Sequence, residues 1–277
     1  VMRAKAEKLD IKATPLVDTC GTGGDGADTF NISTASALVT AGAGVHVAKH
    51  GNRAVSSRSG SADVLKCLGV NLDANLSTVT RCVDEAGIGF LFAPLMHKAM
   101  KHAAGVRKEL GFRTLFNVLG PLTNPANAQS QVLGVFAAKW VQPLAEVLRG
   151  LGCKQALVVH GSDGLDEITL TGVSQIAELK NGDILNYNFD PEKLGFKYCG
   201  SEDLKGGTPE ENAAIIEAIL EGERSPKRDI VVLNSAAAIY VAGKSDSLEL
   251  GVQCAVDSIE SGKAREKLED LCRITHS

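Results

Sequence analysis

The sequence predicts an α/β protein: a mostly parallel central sheet flanked by helices, with a small discontinuous helical domain. Three observations carry that expectation. Apolar runs at 16–20, 45–49, 89–92, 131–136 and 156–160 are nearly continuous rather than alternating, as in strands covered on both faces. Segments of helical period at 33–43, 61–68, 76–86 and 140–151 follow or separate them. The stretch 97–117 is rich in basic residues and helix formers, and no strand-like run lies between it and Gln131.

Taken in order, residues 1 to about 10 read as the end of a helix, with Met2, Ala6 and Leu9 on one face and no capping residue ahead of them. This segment and the insertion after His97 form the small helical domain, 1–14 and 98–121. The α/β domain takes 15–97 and 122–277. In the region 174–191, Asn181-Gly182 is a hairpin-type turn, so an antiparallel excursion is expected before the last three helices.

A chain of 277 residues suits one large domain, or one with a small companion, and 44% hydrophobic residues supply its core. The net charge is −4 and there is no polybasic block, so neither nucleic acid nor an anionic membrane is an expected partner. The seven cysteines contain no close pair, which excludes a zinc knuckle or disulfide framework and implies reduced thiols in the cytoplasm. No apolar run reaches the roughly 18 residues of a membrane span. Nor does the beginning carry the apolar stretch of a signal peptide.

Chemistry concentrates in three loops. Gly21-Thr22-Gly23-Gly24-Asp25 follows the first strand, and its glycines let several N–H groups approach an anion. It runs on to Asn31-Ile32-Ser33-Thr34, where a helix begins, with Ser33 and Thr34 as capping candidates. Neither the dinucleotide fingerprint nor the Walker loop is matched. After the second strand, Lys49-His50-Gly51-Asn52-Arg53 and the serines at 56, 57, 59 and 61 suit phosphate oxygens, or else a basic loop before a helix capped by Ser59 or Ser61. Third comes Gly164-Leu165-Asp166-Glu167. Neighbouring residues on a strand face opposite ways, so these carboxylates converge only on a turn, where they suit magnesium or else form a hydrated surface pair.

These segments, together with the run from Lys49 to Asp63 and that from Arg113 to Ala126, resemble anthranilate phosphoribosyltransferases from Leu16 onward. The resemblance implies the nucleoside phosphorylase/phosphoribosyltransferase-like fold and transfer of a phosphoribosyl group from phosphoribosyl pyrophosphate (PRPP) to the amine of anthranilate, in tryptophan biosynthesis. It places PRPP on Gly21, Gly24, Asp25, Thr29, Asn31, Ile32, Ser33, Thr34, Lys49, His50, Gly51, Asn52, Arg53, Ala54, Val55, Ser56, Ser57 and Ser61. Magnesium falls to Ser33, Asp166 and Glu167, and anthranilate to Gly21, Asn52, His97 and Arg107, the last facing its carboxylate. No residue is assigned as an acid or base.

The resemblance further implies a homodimer formed through the helical domain. It also implies a chain shortened by several N-terminal helices, and it leaves association with a glutaminase open. Lys98 and Gly105 stand where the family commonly has proline, which implies a looser loop around Arg107 and weaker acceptor binding. Three other readings stay open on the sequence: an inactive fragment of such an enzyme, a pyrimidine nucleoside phosphorylase, and a non-catalytic nucleic-acid-binding relative.

Overall fold

The apolar runs pair into one sheet. The computed structural model describes residues 2–54, 58–100 and 114–277. Within them the strands are β1 (Leu16–Asp18), β2 (His46–Gly51), β3 (Ile88–Phe92), β4 (Ser130–Gly134), β5 (Gln155–Gly161), β6 (Ser174–Lys180) and β7 (Asp183–Phe189). Their order across the sheet is β3-β2-β1-β4-β5-β6-β7. The first five are parallel, and β6 and β7 add an antiparallel hairpin at one edge. The hairpin turns at Asn181 and Gly182, both at positive φ as a two-residue turn of this kind requires.

Why the strands lack alternation is visible in β5. Leu157 and Val159 pack into the main core, while Ala156 and Val158 pack into a second core on the opposite face with Leu144 and Leu148. Val132 and Leu133 divide in the same way. Successive side chains point to opposite faces, and helices cover both. The Pro226–Val241 helix is apolar nearly all round and lies deep against the sheet.

Several local expectations are corrected. The opening helix spans only Met2–Lys5, and the chain from 6 to 15 runs without regular structure until β1. The segment 76–86 divides into an α-helix, Leu76–Arg81, and a π-turn, Cys82–Ala86. Four helices rather than three follow the hairpin among the described residues: Pro209–Leu220, Pro226–Val241, Leu248–Glu260 and Lys263–Thr275. Of the expected helical insertion, the described parts are a 3-10 turn, Lys98–Met100, and a short helix, Leu115–Leu119. The remainder, including Gly105 and Arg107, lies outside the described residues. None of the described helices is long and apolar enough to cross a membrane.

Candidate active site

From β1 the chain moves to β2 and β3 on one side, then returns to β4 on the other side of β1. Loops leaving the carboxyl ends of β1 and β4 therefore diverge, and open α/β sheets carry their ligand crevice at such a switch point. A cleft of about 610 Å³ lies there. Every expected site residue within the described segments lines it, including His97, Asp166 and Glu167 from distant parts of the chain. Val55, Ser56, Ser57 and Arg107 lie outside the described residues.

Two glycines let the acidic turn approach the switch point. A Cβ on Gly134, at the end of β4, would come within 1.4 Å of the Asp166 carbonyl oxygen, and one on Gly21 within 2.6 Å of Asp166 Oδ2. The turn is fixed from behind by Asn234, whose side-chain oxygen accepts from Ile168 N at 3.0 Å while Nδ2 donates to Ile168 O at 2.9 Å. On the cleft side, Asp166 Oδ2 accepts from Gly23 N at 2.7 Å, and Asp166 N donates to Asp25 Oδ2 at 3.4 Å. Glu167 accepts from the amide and hydroxyl of Ser33.

The two carboxyls of this turn face Asp25 of the β1 loop. Burial, then repulsion from Asp25 and Glu167, holds the Asp166 carboxyl well above its ordinary range. Burial likewise pushes Glu167 up to about 8, with Lys49 and the Ser33 bonds pulling the other way and Asp25 adding to the rise. Such groups favour a cation between them. Among the described residues no three His, Cys, Asp or Glu side chains gather closely enough to hold a metal unaided. That donor set fits magnesium, which binds through one or two carboxylates and takes its other ligands from phosphates and water.

The β1 loop and the Ile32–Gly42 helix supply the anion side. The helix begins one residue earlier than the sequence suggests: Asn31 is its N-cap, so Ser33 and Thr34 sit in its first turn and do not cap it. Asn31 makes no side-chain cap either. Its Nδ2 donates to Ser59 O at 3.1 Å, and its Oδ1 accepts from Ser59 Oγ at 3.1 Å. Lys49, buried at the end of β2, donates to Ser33 Oγ at 3.2 Å and to Thr19 Oγ1 at 3.3 Å. Thr22 Oγ1 accepts from Phe136 N at 3.1 Å, tying the β1 loop to the chain after β4.

The loop after β2 is organised by Asp63, a residue with no site role in the sequence reading. Asp63 Oδ2 accepts from Ala54 N at 2.9 Å and Gly60 N at 3.0 Å, and Oδ1 pairs with Arg53 at 3.2 Å. Gly60 is thus the N-cap of the Ser61–Cys67 helix, in place of Ser59 or Ser61. An acidic residue three positions after an N-cap is the capping-box spacing, the signal that could have found Asp63. Ser61 Oγ donates to Asn52 O at 3.2 Å, and Arg53 lies over the Phe92 ring at 5.7 Å.

Toward the expected acceptor side, His50 and His97 meet edge to face with ring centres 5.1 Å apart. Burial, then His97 and Lys49, push the His50 imidazolium down to about 3, and burial also lowers His97. Both rings are therefore neutral at physiological pH. Beneath them Asp18 accepts from His50 N at 3.1 Å and from Asn124 Nδ2 at 2.7 Å, wholly buried and pushed up to about 6 by that burial. Lys98 pairs with Glu7 at 2.8 Å, which joins the chain after His97 to the N-terminal segment.

The α/β-domain model of a glycosyl transferase family matches residues 13–265. Anthranilate phosphoribosyltransferase of Acetivibrio thermocellus is 56% identical over 277 residues, spanning 100% of this chain and 80% of that protein. The Clostridium kluyveri enzyme of the same name is 55% identical over 98% of this chain and 81% of its own length. The crystal structure of anthranilate phosphoribosyltransferase from Thermus thermophilus superposes with a TM-score of 0.94 at 49% identity, covering 100% of this chain and 82% of that one. The Saccharomyces cerevisiae enzyme, solved in complex with PRPP and Mg, gives 0.91 at 30% identity, covering 99% and 77%. With a family model over most of its length and relatives above half identity, the chain belongs to the anthranilate phosphoribosyltransferases, within that glycosyl transferase family.

Proposed function

We propose that the cleft binds PRPP with magnesium and anthranilate side by side, and transfers the phosphoribosyl group to the anthranilate amine with release of pyrophosphate. The observation that carries this reading is the meeting of the Asp166–Glu167 turn with the β1 glycine loop at one switch point. Amide groups of the loop and the first turn of the Ile32–Gly42 helix, with Lys49, would hold phosphate oxygens. Ser33, Asp166 and Glu167 would hold magnesium, which when bound neutralises charge on the departing pyrophosphate. Asn52, Gly21 and His97 would line the acceptor side, with Arg107 facing the anthranilate carboxylate.

The aromatic amine is neutral at physiological pH, so its lone pair attacks the anomeric carbon without prior deprotonation as the bond to pyrophosphate breaks. The extra proton then leaves the nitrogen for the departing pyrophosphate or water. Neutral His50 and His97 suit a neutral acceptor ring and leave the carboxylate to Arg107. Acceleration then rests on position and on electrostatic stabilisation of the leaving side, through an oxocarbenium-like transition state. Residues 1–14 and 98–121 belong in this reading to a small helical domain that completes the acceptor side and mediates a homodimer in the cytoplasm.

The test is loss of anthranilate fluorescence on mixing the chain with PRPP and magnesium. Native protein is expected to consume anthranilate, and the Asp166→Ala/Glu167→Ala double variant to be at least 100-fold slower with an unchanged far-UV spectrum (about 3 kcal/mol of barrier). Near-normal turnover of the variant at saturating magnesium would refute the metal assignment. Phosphate-dependent cleavage of thymidine or uridine by the native chain would favour a nucleoside phosphorylase instead.

A further inference from the structure

The loop between β1 and the Ile32–Gly42 helix does not stand alone. A segment from beyond the hairpin lies along it. Thr29 and Lys205 form an antiparallel bridge, Gly206 N donates to Asp28 O at 2.9 Å, and Phe30 N to Leu204 O at 3.3 Å. Lys205 Nζ donates to Ala27 O at 3.1 Å. This close approach needs Gly206, whose Cβ would fall within 2.6 Å of the Phe30 backbone and of Asn212 Oδ1.

At the centre of the contact is Asn212, in the first turns of the Pro209–Leu220 helix and only 1% exposed. Its Oδ1 accepts from Gly207 N at 2.8 Å, and its Nδ2 donates to Asn31 Oδ1 at 3.0 Å. That same Asn31 oxygen accepts from Ser59 Oγ, and Asn31 Nδ2 donates to Ser59 O. Asn31 Oδ1 thus has both lone pairs engaged, and its amide has one workable orientation. The chain Asn212–Asn31–Ser59 runs from a C-terminal helix through the β1 loop to the β2 loop. Cooperative buried networks of this sort hold geometry more firmly than their separate bonds.

We infer that Asn212 is a positioning residue for PRPP: through Asn31 and Ser59 it holds the β1 and β2 loops at one fixed separation, so that both reach the same pyrophosphate. The inference rests on the proposed reading of the cleft, since it takes PRPP as the ligand. Asn212 does not line the cleft and touches no substrate; it acts only through Asn31. A residue of this kind governs donor affinity far more than acceptor affinity. It also explains why the Asn31 side chain is diverted from the N-cap position it occupies.

The decisive variant is Asn212→Asp, which keeps the acceptor for Gly207 N and turns an oxygen toward Asn31 Oδ1 in place of the donor. The expected result is a rise of about tenfold in KM for PRPP, with KM for anthranilate within twofold and kcat changed less than KM. Lys205→Ala, at the other end of the contact and away from the cleft, should shift KM for PRPP the same way by about two- to threefold. Hydrogen exchange in the ligand-free protein reads the coupling without any turnover. Amides of 28–34 and 58–61 should exchange faster in N212D than in the native chain, while β5 amides stay unchanged. An unchanged KM for PRPP with only a lowered Tm overturns the inference, as does unchanged exchange in both loops. A native chain that fails to bind PRPP defeats the functional reading instead, and the exchange result then still decides whether Asn212 couples the loops.

Discussion

Asp18 shows how a single side chain can be constrained by opposing requirements. It ends β1 directly beneath the cleft, wholly buried, and its carboxylate joins the backbone of His50 to the side chain of Asn124. Burial raises its pKa from an ordinary 3.8 to about 6, with Asn124 and Lys49 recovering part of the cost. A carboxyl raised in the folded state stabilises the fold fully below its unfolded pKa, and that contribution is lost as pH rises through about 6. At about 1.4 kcal/mol per pKa unit, native stability attributable to Asp18 falls by roughly 3 kcal/mol between pH 4 and 7.5. Asp18→Asn cannot accept from both partners, so it should be less stable than the native chain at pH 4.5. Its deficit should shrink by a few kcal/mol at pH 7.5, as read by urea unfolding. His50 titrates with the opposite sign, but it is present in both proteins and cancels in the difference. A deficit constant with pH would show that Asp18 is not held protonated.

Elements place the chemistry by ending where they do. The acidic turn reaches the β1 loop because β4 closes on Gly134, and the Asp166 carbonyl fills the space a side chain would need. Gly134→Ala should therefore displace the turn and reduce turnover at least 100-fold, with KM for magnesium raised. Gly150→Ala is the matched control. Its Cβ meets nothing within 4 Å at the end of the Val141–Gly150 helix, so it should leave turnover unchanged and raise stability by up to about 1 kcal/mol. Equal losses in both would disprove the role of the Gly134 contact. This level is also where the sequence stops being readable. Strands are legible because both faces are buried and the runs are uninterrupted, and the hairpin because Asn181-Gly182 carries its own backbone requirement. The glycine loop and the acidic pair are legible for a similar reason, since their residue types state their chemistry. Asn234, Asn212 and Asn124 are not, because each is an ordinary polar residue whose partner lies 66, 181 or 106 positions away. The apolar pattern overstates the short Met2–Lys5 helix because its spacing persists at Ala6 and Leu9 after the backbone has left the helix. There Leu9 packs, partly buried, beside Met96 and Leu16.

At the scale of the whole molecule, the switch point gathers groups that the ligand-free fold holds at a cost. Asp25 of the β1 loop opposes ionisation of Asp166 and Glu167 in the acidic turn, and the amides and lysine that would meet phosphate lie on separate segments of the chain. A ligand that bears negative charge on one side and carries a cation on the other relieves both conditions together. Magnesium alone lacks a preformed group of three protein ligands among the described residues, so it should raise Tm little at millimolar concentration. PRPP alone meets the loop amides but also faces the carboxylates. The two together should stabilise by more than the sum of their separate effects. At about 100 times Kd the gain is roughly 2.7 kcal/mol, or several degrees in Tm. In the Asp166→Ala/Glu167→Ala variant the repulsion is gone and the cation has no anchor. That variant should therefore be more stable than the native chain without ligand, yet gain nothing extra from adding magnesium to PRPP. A thermal-shift matrix of the two proteins against magnesium, PRPP and both reads this directly. Simple additivity in the native chain would mean that the cation and the pyrophosphate do not share the site.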